Sequence, residues 1–122
     1  MKYLCLVYME EASLDAVADS ECMAYGESLR ASGHAIAAEA LQSIHSATTV
    51  RVRNGRASIT DGPFAETKEQ LAGFYLIEAM DLNEAIRMAS QIPPARVGSI
   101  EVRPVRQLSA KQQGARAIGP WR

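Results

Sequence analysis

Few side chains in this 122-residue sequence have types and settings suited to chemistry, and most stand alone. Asp61 opens the turn-rich run Asp61-Gly62-Pro63-Phe64-Ala65-Glu66-Thr67-Lys68-Glu69-Gln70, just ahead of an apolar stretch at Leu71. A carboxylate beside an apolar strand is a candidate general acid or base, because partial burial raises its pKa. Its ordinary role in an Asp-Gly turn is to accept backbone N–H groups. Glu66, Lys68 and Glu69 add charge to the same loop and are candidate contacts for a polar ligand, with solvated loop charge as the plainer alternative. The loop is also long for a connection between adjacent strands, a property of many binding loops. His34 and His45 are candidate lone acid–base groups, since imidazole titrates near neutrality. Tyr25 and Tyr75 are candidates to face a cleft between sheet and helices, as is Glu78. Tyr25 also lies on an apolar stripe, where a core role with a hydrogen-bonded hydroxyl is the simpler reading.

Several chemistries are excluded by spacing. Neither histidine has an HxH, HxxxH or carboxylate partner at ligand spacing, so no metal site is expected. Cys5 and Cys22 form no CxxC, and each lies among apolar residues where a thiol packs rather than reacts. There is no GxSxG elbow, no Ser-His-Asp motif and no glycine loop with phosphate-binding spacing. No cofactor is therefore expected.

The elements that position these residues follow from periodicity. Lys2–Met9 is rich in β-formers and reads as a strand. Ser13 can cap a helix running to Gly33, with Leu14, Ala18, Cys22, Tyr25 and Leu29 on one face; Asp19-Ser20 is a second starting point. A short strand is expected over 36–43. Thr48–Arg53 alternates and is followed by Asn54-Gly55, a hairpin signal that pairs Val50 with Ile59 and Val52 with Ala57. Residues 71–79 form the next strand, with Leu71, Tyr75 and Ile77 on one side and Ala72, Phe74 and Leu76 on the other. Asp81, with Glu84 three residues on, starts a second helix that Pro93-Pro94 ends. Residues 99–105 form a last strand, on an edge because of Pro104. The order is βαββαβ with an inserted hairpin, a ferredoxin-like α+β fold.

In such a fold one sheet face meets the helices and the other meets water. Here the first strand shows Tyr3, Cys5, Val7 and Met9 on one side, and Leu4, Leu6 and Tyr8 on the other. The strand from residue 71 is also apolar on both sides. With no helix left to cover the second face, a homodimer packed sheet to sheet is expected.

The run DGPFAETKEQLAGFY from Asp61 resembles the YCII-related family in its DGPF-domain branch. The start MKYLCLVY, Ala47-Thr48-Thr49-Val50-Arg51, Ile92-Pro93-Pro94-Ala95-Arg96 and Glu101-Val102-Arg103-Pro104-Val105 resemble it too, so the likeness spans about residues 1–106. It implies a dimeric α/β barrel, a superfamily that also holds muconolactone isomerases, cofactor-free monooxygenases and haem-binding peroxidases, so fold alone selects no reaction. The family is described with a His-Asp pair. Residues 14–32 contain no histidine, so that residue has no counterpart here, and the aspartate's counterpart is Asp61. DGPF relatives also occur beside or fused to sigma-factor-like proteins, which implies a regulatory context.

Two functions therefore compete. One is a small-molecule-binding protein or metal-independent enzyme with Asp61 as its acid or base. The other is a regulatory or partner-binding module linked to transcription. Nucleic-acid binding is not expected, because residues 1–101 carry 8 basic and 14 acidic groups. The net charge of -1 and the absence of a long apolar run also exclude membrane association, and two unpaired cysteines suit the cytoplasm. Residues 107–122 form a basic extension expected outside the core, where Trp121 is a candidate for docking on a partner subunit.

Overall fold

A computed structural model describes residues 1–109. The basic extension, Trp121 included, lies almost entirely outside the described residues. The elements are β1 (Lys2–Met9), α1 (Asp19–Ala31), β2 (Ala35–Ala40), β3 (Thr48–Arg53), β4 (Arg56–Asp61), β5 (Gln70–Glu78), α2 (Leu82–Ser90) and β6 (Ser99–Pro104). This is the α+β order expected. The main sheet runs β2-β5-β1-β6 with every neighbour antiparallel, and β3-β4 form a separate two-stranded ribbon.

The first helix starts later than Ser13. Glu11–Ser13 makes only a single 3-10 turn, and α1 begins at Asp19 after an extended Ala18. Asp19 and Glu21 in the first turn and Arg30 in the last complement the helix dipole there. A Schellman arrangement closes the helix: His34 N–H donates to the Leu29 carbonyl and Gly33 N–H to that of Arg30. In α2 the Asp81 carboxylate accepts from the Glu84 N–H at 2.9 Å, while the Glu84 carboxylate accepts from the Met80 N–H at 2.7 Å. This is the expected cap, with its return bond one residue earlier than a capping box places it.

Both helices cover one sheet face. Tyr3, Cys5, Val7 and Met9 of β1 and Tyr75 and Ile77 of β5 pack against Leu29, Ala85, Met88, Ala89 and Ile92. Two contacts tie α1 to α2 and to the 3-10 turn Pro93–Arg96 that follows it. The Tyr25 hydroxyl donates to the Met88 carbonyl at 2.7 Å, and Arg96 forms a forked pair with Glu21 at 2.6 and 3.0 Å. The opposite face holds Leu4, Leu6, Tyr8, Phe74 and Leu76, all only partly covered.

Leu71 departs from the expected facing. The β1–β5 register pairs Val7 with Gly73 and then Tyr8 with Leu71, so Ala72 is an extra residue in β5. This bulge reverses the alternation. Leu71 joins Tyr8 on the open face, Ala72 packs on the helix side, and Gln70 is buried opposite Met9.

The close approach of residue 98 to β1 permits only glycine. A Cβ there would lie 2.1 Å from the Tyr8 carbonyl oxygen, which is backbone held in the β1–β6 ladder. Gly98→Ala is expected to lower unfolding stability by about 1–3 kcal/mol in urea titration, the usual range for overpacking. An unchanged midpoint would show that the β6 entry yields.

Candidate functional site

A groove of about 1040 Å³ runs between α1 and the helix-facing side of β2 and β5. Its size suits a small organic molecule. Val7, Met9, Ala38, Ala72 and Tyr75 contribute from the sheet, and Leu14 and Val17 from the segment ahead of α1. The α1 wall presents Asp19, Cys22, Met23, Gly26, Glu27 and Arg30, spaced by helical turns. Nothing lies within 4 Å of where a Gly26 Cβ would sit, so the wall is set back at that turn. Asp15 and Asp19 edge the groove without an ion pair among the described residues, whereas Glu27 is paired with Arg30 at 2.7 Å.

The groove contains one polar group of unusual status. Tyr75 is 8% exposed and meets Tyr25 edge to face at 6.1 Å between ring centroids. Tyr25 spends its hydroxyl on Met88, but the Tyr75 hydroxyl makes no hydrogen bond within the described residues. Among these residues no fully enclosed polar side-chain atom lacks a partner. The Tyr75 hydroxyl is therefore reached from the groove. Burial pushes its pKa up to about 12, with smaller contributions from Cys22 and Tyr25. At neutral pH it is a phenol that can donate and accept, and a poor base.

Cys22, the second polarisable group in the groove, is likewise held as a thiol. Burial raises its pKa first, and the fields of Asp19 and Glu21 raise it further against the opposing field of Arg96. Cys5 lies beneath the helices, fully buried, with its pKa raised to about 11. Neither sulfur has the electropositive setting of a nucleophile. Among the described residues there is no group of three or more His, Cys, Asp or Glu side chains able to hold a metal ion.

Of the residues singled out in the sequence, Tyr75 lines the groove and Tyr25 supports it from behind. Asp61 ends β4 opposite Thr48, exposed and outside the groove. Its turn is closed by other groups: Gly62 N–H donates to the Ala47 carbonyl at 2.7 Å, and Thr49 Oγ1 to the Gly62 carbonyl at 2.9 Å. The loop after it is wrapped around Gln70, whose side-chain amide donates to the Ala65 and Thr67 carbonyls at 2.9 and 3.1 Å. Lys68 Nζ lies 3.6 Å from Glu10, Glu69 accepts from Ser99 Oγ at 2.7 Å, and Glu66 is exposed. His34 Nδ1 donates to the Glu78 carbonyl at 2.8 Å, tying β2 to β5. His45 is exposed in the 3-10 turn Ile44–Ser46, and Glu78 is exposed at the end of β5. No hydrogen bond or ion pair among the described residues links any two of Asp61, His34 and His45. Gln70 and the α1 wall escaped the sequence reading because an amide in a polar loop and a mixed helix face carry no periodic signal.

The sequence model of the YCII-related domain matches residues 1–109. The chain belongs to the YCII-related family. Its fold is of the type found in dimeric α/β barrels, and the DGPF run lies within the matched residues. An uncharacterised protein of Rhizobium meliloti (strain 1021) is 51% identical over 61 residues, which are 48% of this chain and 49% of that protein. The aligned part thus spans about half of that relative's length, and its description assigns no activity.

The raised pKa of Tyr75 has a pH consequence. A group whose folded pKa exceeds its unfolded value stabilises the fold below the unfolded pKa of about 10, and that contribution is lost as the pH rises through about 12. Ultraviolet titration of the wild type minus Tyr75→Phe is expected to show a tyrosine ionising near pH 12 or together with alkaline unfolding. Ionisation of Tyr75 near pH 10 in the folded protein would contradict a desolvated phenol.

Proposed function

We propose that the protein binds a small, largely apolar organic molecule in the α1–β5 groove, anchored by a hydrogen bond to the Tyr75 hydroxyl. The observation that carries this reading is a nearly buried phenol, without a partner among the described residues, on the floor of a ligand-sized groove. A polar atom in such a place loses little by accepting a ligand's hydrogen bond, because it has already given up most of its water. Asp15 and Asp19 at the edge, with Arg30, the one groove cation among the described residues, already paired, favour a neutral or cationic ligand over an anionic one. Because both Tyr75 and Cys22 are protonated at neutral pH, the groove suits binding better than acid–base or nucleophilic catalysis.

We also propose that two copies pack through the open sheet face. Leu4, Leu6, Tyr8, Leu71, Phe74 and Leu76 form an apolar surface on the two central strands, and Leu6 stands opposite Phe74 near its middle. Light scattering is expected to give a dimer mass for the wild type and a monomer mass for Leu6→Glu with unchanged circular dichroism. A monomeric wild type at micromolar concentration would end this reading.

The groove is tested with three matched aryl probes, phenethylamine, phenethyl alcohol and phenylpropionate, by calorimetry or thermal shift. The amine and the alcohol are expected to bind more tightly than the acid. Tyr75→Phe is expected to weaken them about 2- to 10-fold, the worth of one net hydrogen bond. Binding unaltered by Tyr75→Phe, or no binding by any probe, would overturn the assignment.

A further inference from the structure

We infer that Trp121, on the C-terminal extension, docks in a second groove between α2 and β6 of its own chain. This groove is separate from the α1–β5 groove and lies at the sheet edge that β6 forms. Its volume is about 290 Å³, and it is lined by Ile86, Ala89 and Ser90 of α2, by Ala95, and by Ile100 and Val102 of β6. Ile86 is 48% exposed there.

The size and chemistry of this groove select a tethered side chain. A small-molecule site is usually larger and has several convergent polar groups to orient its ligand. Here the lining has a single polar side chain, Ser90, whose hydroxyl donates to the Arg87 carbonyl at 2.8 Å. A separate folded protein needs about 1,000 Å² of buried surface to stay bound, more than six such residues offer. A segment of the same chain needs neither. Its tether holds it at an effective concentration of about millimolar, which is enough for one apolar contact.

The extension also starts beside the groove. Val105 N–H donates to the Lys2 carbonyl at 2.9 Å, so the chain follows β1 to that point. Val102, in the groove wall, stands about 10 Å back along the strand. The sixteen residues from Arg106 to Trp121 reach up to about 53 Å, and Gly114 and Gly119-Pro120 suit the reversal. Trp121 matches the lining better than Ile118 does. With its proton engaged on Arg87, the Ser90 oxygen can only accept, and an indole N–H can only donate. Ile118 has no side-chain donor to offer. The family match ends at residue 109, so the contact belongs to this chain and not to the YCII-related domain as such.

Trp121 is the sole tryptophan of the chain, so its fluorescence reads the contact in the unmodified protein. Its emission is expected to lie to the blue of a solvated indole and to resist acrylamide quenching. Ile86→Lys, which sets a charge on the docking surface, is expected to shift the emission to that of solvated indole with unchanged circular dichroism. Because a groove variant can disturb packing, nuclear Overhauser contacts in the wild type supply a second reading. They are expected from the Trp121 ring to the methyl groups of Ile86, Ile100 and Val102. A solvated Trp121 in the wild type would overturn the inference. So would blue emission that Ile86→Lys leaves unchanged, or ring contacts to other residues, since either puts Trp121 elsewhere. Emission that moves to the red as the protein is diluted from dimer to monomer would place Trp121 on the partner subunit and overturn it as well.

Discussion

Between Tyr3 and Met9 the central strand β1 has no charged side chain to give to water. It is flanked on both sides by strands, so every second residue must find cover on each face. Two helices satisfy one face completely, to the point that Cys5 and Ile77 are shut off from solvent. The βαββαβ connection sends both helices to that same side, because each crosses with one hand between two parallel strands one position apart, β1 to β2 over β5 and β5 to β6 over β1. Nothing in the described chain remains for the other side. The uncovered aliphatic and aromatic groups there are therefore a consequence of topology.

The groove has its origin in the same packing. Leu29, near the end of α1, is buried against the core, while the first turns of the helix carry Asp19, Met23 and Gly26 along the edge over β2 and β5. Short side chains in β2, alanine at 35, 37, 38 and 40, cannot fill the space beneath. Tyr75 stands in this underfilled region with Tyr25 behind it, and only Tyr25 reaches a carbonyl. A helix that packed flat would have sealed the phenol and obliged the fold to supply it with a partner. Because α1 stands back, the Tyr75 hydroxyl stays open to the groove with no partner among the described residues.

The elements were legible wherever a local rule governs. Asn54-Gly55 takes positive φ at both residues, 53° and 74°, and the register pairs Val50 with Ile59 as alternation requires. Asp81 caps α2, Gly33 closes α1, and the two-sided apolar character of β1 translated directly into one buried and one open face. Illegible features were those created by contacts distant in sequence. The Ala72 bulge breaks the period of two and puts Leu71 on the face opposite the one alternation predicts; Gly73 beside it is the only local sign, and a strand glycine equally marks the close approach that β2 makes there. The long charged loop after Asp61 is wrapped around Gln70, an interaction between side-chain amide and backbone that no composition rule reveals. Tyr75 was recognisable as a candidate from its place in the strand; its solitary hydroxyl required the position of α1.

A net charge of -1 conceals a segregation that bears on how the chain assembles. Near neutrality overall would allow nonspecific association if basic and acidic groups were evenly mixed over apolar patches. Instead Arg51, Arg53 and Arg56 share one face of the ribbon, with Arg53 and Arg56 paired beside its turn. The apolar residues are confined to the opposite side. A ribbon built in this way has one charged face, which water solvates, and one apolar face, which the cross-strand pairs Val50 with Ile59 and Val52 with Ala57 define.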